Sequence, residues 1–454
     1  MILKRKLNVS GYRGVWGETL TEEIVILYTR AFVRFTKEDS KKENPTILIG
    51  RDGRESGPQI RKIIIKELNS LNVNIVDGDI MPTPTVLFSV RKHKYDGAII
   101  ITASHNPIEY NGLKFVNKNA LFTIEEEVKK INEYFEVEEN LEMHPKEYIP
   151  LETPNFPKEH IDHILKNINI NAIKERKFKV VADMINASAC VMDPYLFEQL
   201  GVELIPLNNI PNGKFAHRPE PLRENLEETM KVTREIKADI GFVHDPDADR
   251  LVIINEKGEV VSEEYSVVFG IENILSKNPG KPVVLNLSTS QMGSDIAKKY
   301  GSECYRSKIG EGYVVDKIIS KNAIIGGEGN GGVIYPTINT CRDSFTALSL
   351  VLELLAERKQ TVSKCIETMP KYFIKKDKWQ IGEDLSKIYL TLKSHFANAK
   401  IDEQDGLRLD LPDGSWLHLR PSNTEPIIRL FGEAKTQERI DALFTETKLT
   451  LGLK

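Results

Sequence analysis

Short apolar runs alternate with amphipathic stretches up to about residue 370. This alternation is typical of βαβ units, in which buried strands are joined by helices that cover the sheet. The first unit predicts a helix capped by Thr21, with Glu22 and Glu23 in its first turn, where carboxylates favour the helix dipole. A later helix is predicted to open with a capping box that runs from Thr123 to Glu126.

Two changes in the pattern divide the chain. Residues 136–160 are acidic, contain prolines and lack clear periodicity, so a domain boundary is predicted there. From about 371 two alternating strands are joined by a Pro-Asp-Gly turn, "GLRLDLPDGSWLHLR", and a closing helix follows. The sequence therefore predicts three similar mixed α/β domains and a smaller C-terminal α+β domain, over the ranges 1–150, 151–258, 259–370 and 371–454.

Composition and charge narrow the class of protein. The chain has 454 residues, too many for one hydrophobic core, and its formal net charge of -4 comes from interleaved acids and bases. This balance does not favour nucleic-acid binding, so an anionic ligand must be met by local positive charge. There is neither an apolar signal-peptide core nor a window of the ~18 apolar residues that a membrane helix needs, so we expect a cytoplasmic protein without a membrane partner. The four cysteines are far apart, which predicts reduced thiols rather than disulfides or zinc.

The first candidate for chemistry is Ser104, in the segment "TASHNP". It follows an apolar strand, and ligands of open α/β sheets bind at the carboxyl ends of strands. Asn106 precedes a proline and so disfavours helix, which predicts that the serine lies on an exposed loop. Taken alone, the segment is equally typical of a simple turn, and it lacks the Gly-x-Ser-x-Gly of a hydrolase elbow.

Three aspartates alternate in "HDPDADR": Asp245, Asp247 and Asp249. In an extended segment their carboxylates project to one side, and three close carboxylates need a cation or protons. Hard oxygen ligands favour Mg2+ or Ca2+. A calcium EF-hand does not fit, because Arg250 stands where its loop requires glycine and the next residues predict a β-hairpin. A solvated acidic turn is the remaining alternative.

Two further loops carry polar groups suited to a sugar phosphate. In "GGEGNGG" the glycines let the backbone approach a ligand, and Glu328 and Asn330 offer side chains that suit sugar hydroxyls. "RPSNTEPIIRLFGE" combines two arginines with hydroxyls in a loop that proline keeps out of helix, which is typical of a phosphate site. A surface turn with one paired arginine is the alternative.

Taken together and in order, these segments resemble the α-D-phosphohexomutase family over nearly the whole chain. The matching segments are "SGYRG" at 10–14, "GRDGRESG" at 50–57, "PTPT" at 82–85, "TASHNPIEYNGLKF" at 102–115, "DPDADR" at 245–250, "GEGNGG" at 327–332 and "RPSNTEP" at 420–426. The resemblance implies three similar α/β domains and a smaller fourth around a central cleft. In this arrangement the domains carry, in order, the phosphoserine, metal-binding, sugar-binding and phosphate-binding loops.

The resemblance also implies roles for individual residues. Ser104 would be the phosphoserine, and Mg2+ would be bound by it together with Asp245, Asp247 and Asp249. The remaining catalytic candidates implied by the resemblance are Lys114, Arg13, Arg250 and His105. The candidates for binding the sugar hydroxyls and the phosphate that does not react are Glu328, Asn330, Arg420, Ser422, Asn423, Thr424 and Arg429. Two positions depart from the family pattern: Gly332 stands where some members have histidine, and Asn423 replaces the commoner glycine.

By the same resemblance, phosphoserine gives its phosphoryl group to a hexose phosphate, and a hexose 1,6-bisphosphate is the intermediate and activator. "GEGNGG" and "RPSNTEP" look most like the archaeal-type phosphoglucosamine mutases. The favoured reaction is therefore glucosamine 6-phosphate to glucosamine 1-phosphate, a step towards UDP-N-acetylglucosamine, with mannose and glucose phosphates as rivals. A metal-dependent sugar phosphatase and a non-catalytic sugar-phosphate sensor are the alternatives from other classes. The expected assembly is a monomer or a homodimer.

Overall fold

The computed structural model describes residues 6–137, 151, 153–380, 384–421 and 427–453. The strands in these ranges are β1 (Tyr12–Val15), β2 (Thr46–Arg51), β3 (Asn74–Ile80), β4 (Gly97–Ile101), β5 (Tyr110–Val116), β6 (Lys179–Asp183), β7 (Glu203–Leu207), β8 (Ile240–His244), β9 (Leu251–Ile254), β10 (Val283–Asn286), β11 (Cys304–Ser307), β12 (Ile325–Glu328), β13 (Gly332–Ile334), β14 (Phe373–Gln380), β15 (Lys400–Asp402), β16 (Leu407–Asp410), β17 (Trp416–Pro421) and β18 (Ile427–Ala434).

The α-helices in the same ranges are α1 (Glu22–Ser40), α2 (Gly57–Ser70), α3 (Thr83–His93), α4 (Glu125–Glu136), α5 (Phe156–Leu165), α6 (Ile170–Arg176), α7 (Asp193–Leu200), α8 (Glu227–Glu235), α9 (Glu264–Lys277), α10 (Met292–Lys299), α11 (Glu311–Lys321), α12 (Ser344–Arg358), α13 (Val362–Glu367), α14 (Leu385–His395) and α15 (Gln437–Thr450). Short 3-10 helices lie at Ser188–Val191 and Arg223–Asn225. Among the described residues, every helix is too short or too polar to cross a lipid bilayer.

The chain packs into two compact units, Met1–Gly270 with Gly331–Cys365, and Ile271–Asn330 with Ile366–Lys454. The first unit contains a sheet in the order β1-β5-β4-β2-β3 and a second in the order β7-β6-β8-β9. In each sheet three strands are parallel and a fourth is added antiparallel, β5 beside β4 and β9 beside β8. The first sheet has one more antiparallel strand, β1 beside β5. The predicted recurrence of similar α/β units is therefore visible in the sheet order.

The second unit contains β10 between β11 and β12, with all three parallel. Its other sheet is antiparallel throughout, in the order β14-β18-β17-β16-β15. Within this unit the Gln291 amide donates to Glu433 Oε1 at 2.8 Å, and Ser288 Oγ lies 2.8 Å from His418 Nδ1. The predicted fold class, three α/β sheets and a C-terminal α+β domain, is confirmed.

Burial explains why the sequence forms these elements. Strand β4 is buried at every position, as expected for a central strand that is covered on both faces. Helix α1 begins after Thr21, whose hydroxyl accepts from the Ile24 amide as predicted, and it packs Phe32 onto Phe115 of β5 with ring centroids 4.5 Å apart. The core of the C-terminal domain comes from the alternating leucines of β16 and β17, so the predicted hairpin is confirmed.

The predicted capping box of α4 is wrong by one residue. The Thr123 amide donates to the Phe115 carbonyl of β5 at 3.2 Å, which keeps Thr123 bound to the sheet. The helix therefore begins one residue later, and the Glu127 carboxylate accepts from the Ile124 amide at 3.0 Å. Of the predicted boundary segment, residues 138–150 and 152 lie outside the described residues. The four domain ranges stay a prediction.

Candidate active site

Ser104 lies in the turn that follows β4, with a φ of 50°. Its Oγ donates a 3.0 Å hydrogen bond to Asp245 Oδ2 and lies 3.3 Å from His105 Nδ1. The serine is 1% exposed, so the expectation of an exposed loop is wrong. The reason is that the hydroxyl turns inward to a carboxylate from a segment 141 residues further along the chain.

The aspartate loop joins β8 to β9 and is a turn rather than the extended segment that the alternation predicts. Ala248 has a φ of 54°, and its amide donates to the Asp245 carbonyl at 2.9 Å. The amides of Asp249 and Arg250 both donate to Asp245 Oδ1 at 3.1 Å. The predicted convergence of the three carboxylates is nevertheless confirmed, because the turn brings one oxygen of each within 4.8 Å of the others.

Three helix beginnings hold this loop by its carbonyl groups. The hydroxyls of Ser188 and Ser344 each donate to a carbonyl at 2.7 Å, and the Thr83 amide does so at 2.9 Å. The three donors and their acceptors are Ser188 to Pro246, Thr83 to Asp247 and Ser344 to Ala248. Three successive carbonyls are thus fixed from three separate segments of the first unit, so the carboxylates are aimed by a rigid backbone.

Cationic side chains face the carboxylates. Lys114 projects from β5, where it pairs with Ile100 of β4, and its Nζ donates to Asp247 Oδ2 at 2.7 Å. Arg342 donates to Asp249 Oδ2, and Arg250 Nε lies 3.8 Å from Asp249 Oδ1. The remaining cation is Arg13 of β1, whose Nη1 donates to Asn106 Oδ1 at 2.9 Å in the serine loop. Four cationic side chains thus lie near three carboxyl groups, and their excess positive charge suits an additional anion.

Burial and neighbouring charges shift the pKa values of Asp245 and Asp247 in opposite directions. It raises the pKa of Asp245 well above its ordinary range, and the neighbouring carboxylates add to the rise. Burial has the same tendency at Asp247, but the charge and hydrogen bond of Lys114, together with the Thr83 hydroxyl, outweigh it and lower the pKa. The charge of Arg250, with burial and Arg13, lowers the pKa of His105 to about 2. The imidazole is therefore neutral at neutral pH in the unphosphorylated protein.

The oxygens left over fit a divalent cation. Asp247 Oδ1 and Asp249 Oδ1 are buried and accept no hydrogen bond from the described part of the chain. Burying an acceptor without a hydrogen-bond donor is energetically unfavourable unless a cation binds it. Carboxylate oxygens in this number suit Mg2+, and the Ser104 hydroxyl adjoins the same cluster through Asp245. These residues therefore fit the cofactor that the sequence predicts.

The sugar-loop candidates belong to the second unit. Glu328 ends β12 and is 3% exposed, and its Oε1 accepts from Asn286 Nδ2 at 2.8 Å and from the Gly310 amide at 3.1 Å. The Oδ1 atom of Asn330 is buried, and it has no hydrogen-bond partner among the described residues. A fixed carboxylate and an unused amide oxygen suit the hydroxyls of a polar ligand.

The phosphate-loop arginines are directly opposite each other. Arg420 of β17 pairs in register with Arg429 of β18. Arg420 Nε lies 3.4 Å from Asp405 Oδ1. Like charges that face each other across two strands repel, so a nearby anion stabilises this pair. The other predicted members of the loop, Ser422, Asn423 and Thr424, lie outside the described residues.

Sequence reasoning missed Arg342 and Thr83 as contributors to the site. Arg342 pairs with a carboxylate 93 residues away, and Thr83 Oγ1 donates to Asp247 Oδ2 at 2.8 Å across 164 residues. "PTPT" carried the only signal for Thr83, and it was used for the resemblance rather than for a contact. A lone arginine before α12 carries no local signal.

Family models match almost the whole chain. The four models describe phosphoglucomutase/phosphomannomutase alpha/beta/alpha domains I, II and III and the C-terminal domain, and they match residues 4–142, 158–258, 263–372 and 380–449. The chain belongs to the α-D-phosphohexomutase family. It is accordingly a phosphohexomutase, an isomerase that moves a phosphoryl group within a hexose phosphate.

Known phosphohexomutases resemble the chain over its full length. A phosphoglucomutase/phosphomannomutase of Thermococcus kodakarensis is 34% identical, covering 98% of this chain and 96% of the relative. A phosphoglucosamine/phosphogalactosamine mutase of Sulfurisphaera tokodaii is 32% identical, covering 97% and 98%. The crystal structure of a phosphoglucomutase/phosphomannomutase family protein from Burkholderia thailandensis superposes with a TM-score of 0.84 at 26% identity, covering 98% of each chain. The names of these relatives divide between different sugars.

Proposed function

We propose that this phosphohexomutase interconverts glucosamine 6-phosphate and glucosamine 1-phosphate, with Ser104 as the phosphoryl carrier. The observation that supports the carrier most strongly is the 3.0 Å bond from Ser104 Oγ to Asp245. It places the hydroxyl beside three carboxyl groups and a group of cations, and two of the carboxyl groups, Asp247 and Asp249, have an oxygen without a partner among the described residues. A phosphoserine brings a charge of about -2, which needs these cations and a divalent ion.

Asp245, Asp247 and Asp249, with the phosphorylated Ser104, are the residues we propose to hold Mg2+. When bound, Mg2+ supplies positive charge that offsets the charge on the phosphoryl oxygens. The chain's own contribution is to keep the carboxylates in place through the helix beginnings that grip their loop. The cluster lies in a water-poor setting, since all three aspartates are at most 1% exposed.

In the reaction, a hydroxyl of the hexose phosphate attacks the phosphorus atom, the bond from phosphorus to Ser104 Oγ breaks, and a 1,6-bisphosphate forms. The bisphosphate turns end for end, and Ser104 takes back the other phosphoryl group. Lys114 is the proposed proton donor and acceptor, and Arg13 and Arg250 stabilise charge on the transferring group. His105, neutral before phosphorylation, contacts the serine oxygen at 3.3 Å. Positioning and charge stabilisation supply most of the catalysis, as in phosphoryl transfer generally.

Substrate recognition is assigned to residues of the second unit. We assign Glu328 and Asn330 to the sugar hydroxyls, and Arg420 and Arg429 to the phosphate that is not reacting, together with Ser422, Asn423 and Thr424. The unused oxygen of Asn330 and the opposed arginines support this assignment. These loops, with the serine and aspartate loops, define the proposed domains 1–150, 151–258, 259–370 and 371–454.

The choice of glucosamine rests on the loop sequences "GEGNGG" and "RPSNTEP" and on the Sulfurisphaera tokodaii relative. The Thermococcus kodakarensis relative favours glucose and mannose phosphates as the second candidate. Phosphorus NMR distinguishes them, with Mg2+, a trace of hexose 1,6-bisphosphate, and glucosamine, mannose or glucose 6-phosphate in separate tubes. The proposal expects the 1-phosphate to form fastest from glucosamine 6-phosphate. Faster formation from mannose or glucose 6-phosphate would overturn the proposed sugar, and free phosphate without any 1-phosphate would overturn the mutase mechanism.

A further inference from the structure

The segment "GRDGRESG" contains an arginine, Arg54, that directs most of its donors at the serine loop. Arg54 is fully buried. Its Nη2 donates to the carbonyls of Ser104 at 2.6 Å and Asn106 at 2.7 Å, and its Nη1 donates to those of Pro107 at 2.7 Å and Tyr110 at 2.9 Å. A guanidinium has five N–H donors, and the fifth bonds Asp52 at 3.1 Å. Every donor is therefore used, and four of the five hold the serine loop.

Asp52, the ion-pair partner of Arg54, is also connected to the backbone amide of Ser104. The Ser104 amide donates to Thr102 Oγ1 at 2.9 Å, and that hydroxyl donates to Asp52 Oδ2 at 2.6 Å. The carbonyl of Ser104 is bound by Arg54 and its amide by Thr102, so both backbone groups lead to one buried ion pair. Asp52 and Thr102 are both fully buried, so the ring of contacts is shielded from water.

These contacts fix the backbone conformation of Ser104. Ser104 adopts a φ of 50°, a left-handed conformation that is strained for a residue with a side chain and persists only where its surroundings impose it. In this conformation its Oγ reaches Asp245. An extended or right-handed serine would carry its hydroxyl elsewhere, so whatever holds the backbone also aims the oxygen.

We propose that Arg54 and Thr102, linked through Asp52, are positioning residues that hold Ser104 in the left-handed conformation needed for phosphoryl transfer. The proposal rests on the proposed role of Ser104 as the carrier. Arg54 acts through the loop, since all its donors are used by Asp52 and backbone carbonyls and none is left for the three aspartates of the metal site. Lysine cannot replace it, because an ammonium group has three donors on one atom and cannot span four carbonyls.

The test compares Arg54→Lys with Arg51→Lys in the full chain. Arg51 belongs to the same segment and is 8% exposed, but it bonds Asp79 at 2.6 Å and the Asp52 carbonyl at 3.1 Å instead of the serine loop. We expect Arg54→Lys to lower kcat about 100-fold, the cost of displacing a reacting group by about 1 Å. KM for the hexose phosphate should be unchanged, because Arg54 does not contact the groups proposed to bind the substrate, and Arg51→Lys should keep the wild-type kcat.

A milder pair of variants covers the case in which Arg54→Lys does not fold. Thr102→Val keeps the shape but removes the hydroxyl, and Thr102→Ser keeps the hydroxyl. We expect the valine variant to transfer a phosphoryl group from hexose 1,6-bisphosphate to dephosphorylated Ser104 about tenfold more slowly, and the serine variant to match the wild type. A wild-type transfer rate in Thr102→Val, or in a folded Arg54→Lys, would overturn the proposal. A rise in KM as large as the fall in kcat would also overturn it, because that result indicates general damage to the site.

Ser104→Ala separates this inference from the function on which it rests. If Ser104→Ala retains mutase turnover, the carrier itself is wrong. If Ser104→Ala is inactive while Arg54→Lys and Thr102→Val turn over like the wild type, only the positioning role is wrong.

Discussion

Thr83 makes a bond to Asp247 that can be removed without changing the shape of the core. Its Oγ1 donates to Asp247 Oδ2 at 2.8 Å, and its amide independently donates to the Asp247 carbonyl at 2.9 Å. Valine is close in shape to threonine, so Thr83→Val removes the hydroxyl bond and leaves the backbone bond. Hydrogen bonds to charged groups contribute roughly 1.5–3 kcal/mol, and Thr83 is fully buried, so water cannot replace the donor. We therefore expect the first unit to lose about 1.5–3 kcal/mol of unfolding free energy.

The same substitution should affect catalysis through the carboxylate. Without the hydroxyl, Asp247 Oδ2 keeps the bond from Lys114, at 2.7 Å, but loses one of its two donors. We expect a fall in kcat of about tenfold, equivalent to about 1.4 kcal/mol. Urea unfolding and steady-state mutase assays measure the two effects, with Thr83→Ser as the control that keeps the hydroxyl. If Thr83→Val and Thr83→Ser unfold at the same urea concentration and turn over equally fast, the reasoning is refuted.

Three further predictions concern the metal, the C-terminal core and pH. Asp249→Asn should weaken Mg2+ binding, measured by calorimetry, at least about tenfold, because it removes a negative charge from the proposed ligands and Asp249 Oδ1 is one of their unused oxygens. An unchanged affinity would place the ion elsewhere. Leu417→Ala, at a fully buried position, should cost about 2–5 kcal/mol of stability while Ser104 still becomes phosphorylated, as thermal unfolding and mass spectrometry would report. Burial lowers the pKa of His418 to about 4, below the ordinary ~6.5 of histidine. As pH falls from about 6.5 to 4, the unfolded chain therefore binds a proton that the folded chain does not, and the second unit should lose stability. His418→Gln should flatten this dependence of stability on pH, and an unchanged slope would contradict the assignment.

The local sequence pattern was sufficient to predict the parts of the fold and of the site that depend only on residues close together in the chain. Thr21 caps α1 because the cap needs only the next three residues, and Ser104 and the aspartates follow strands whose carboxyl ends ligands favour. The pattern also indicated that the aspartates converge, and a turn with Ala248 in the left-handed region brings them together.

The rest depended on contacts between distant segments. Thr123 was expected to cap α4, but a bond from its amide to Phe115 in β5 takes precedence. Ser104 was expected on an exposed loop, but a carboxylate from another sheet draws it inward. Arg342 and Arg54 have no periodic signal, and only the folded chain shows which acceptors they meet.

The most direct test of the account is mass spectrometry of the intact protein and its peptides after incubation with hexose 1,6-bisphosphate and Mg2+. We predict one added phosphoryl group, located on Ser104, that disappears when excess hexose 6-phosphate is added and reappears as bisphosphate. A phosphoryl group on another residue, or mutase turnover that persists in Ser104→Ala, would contradict the central claim.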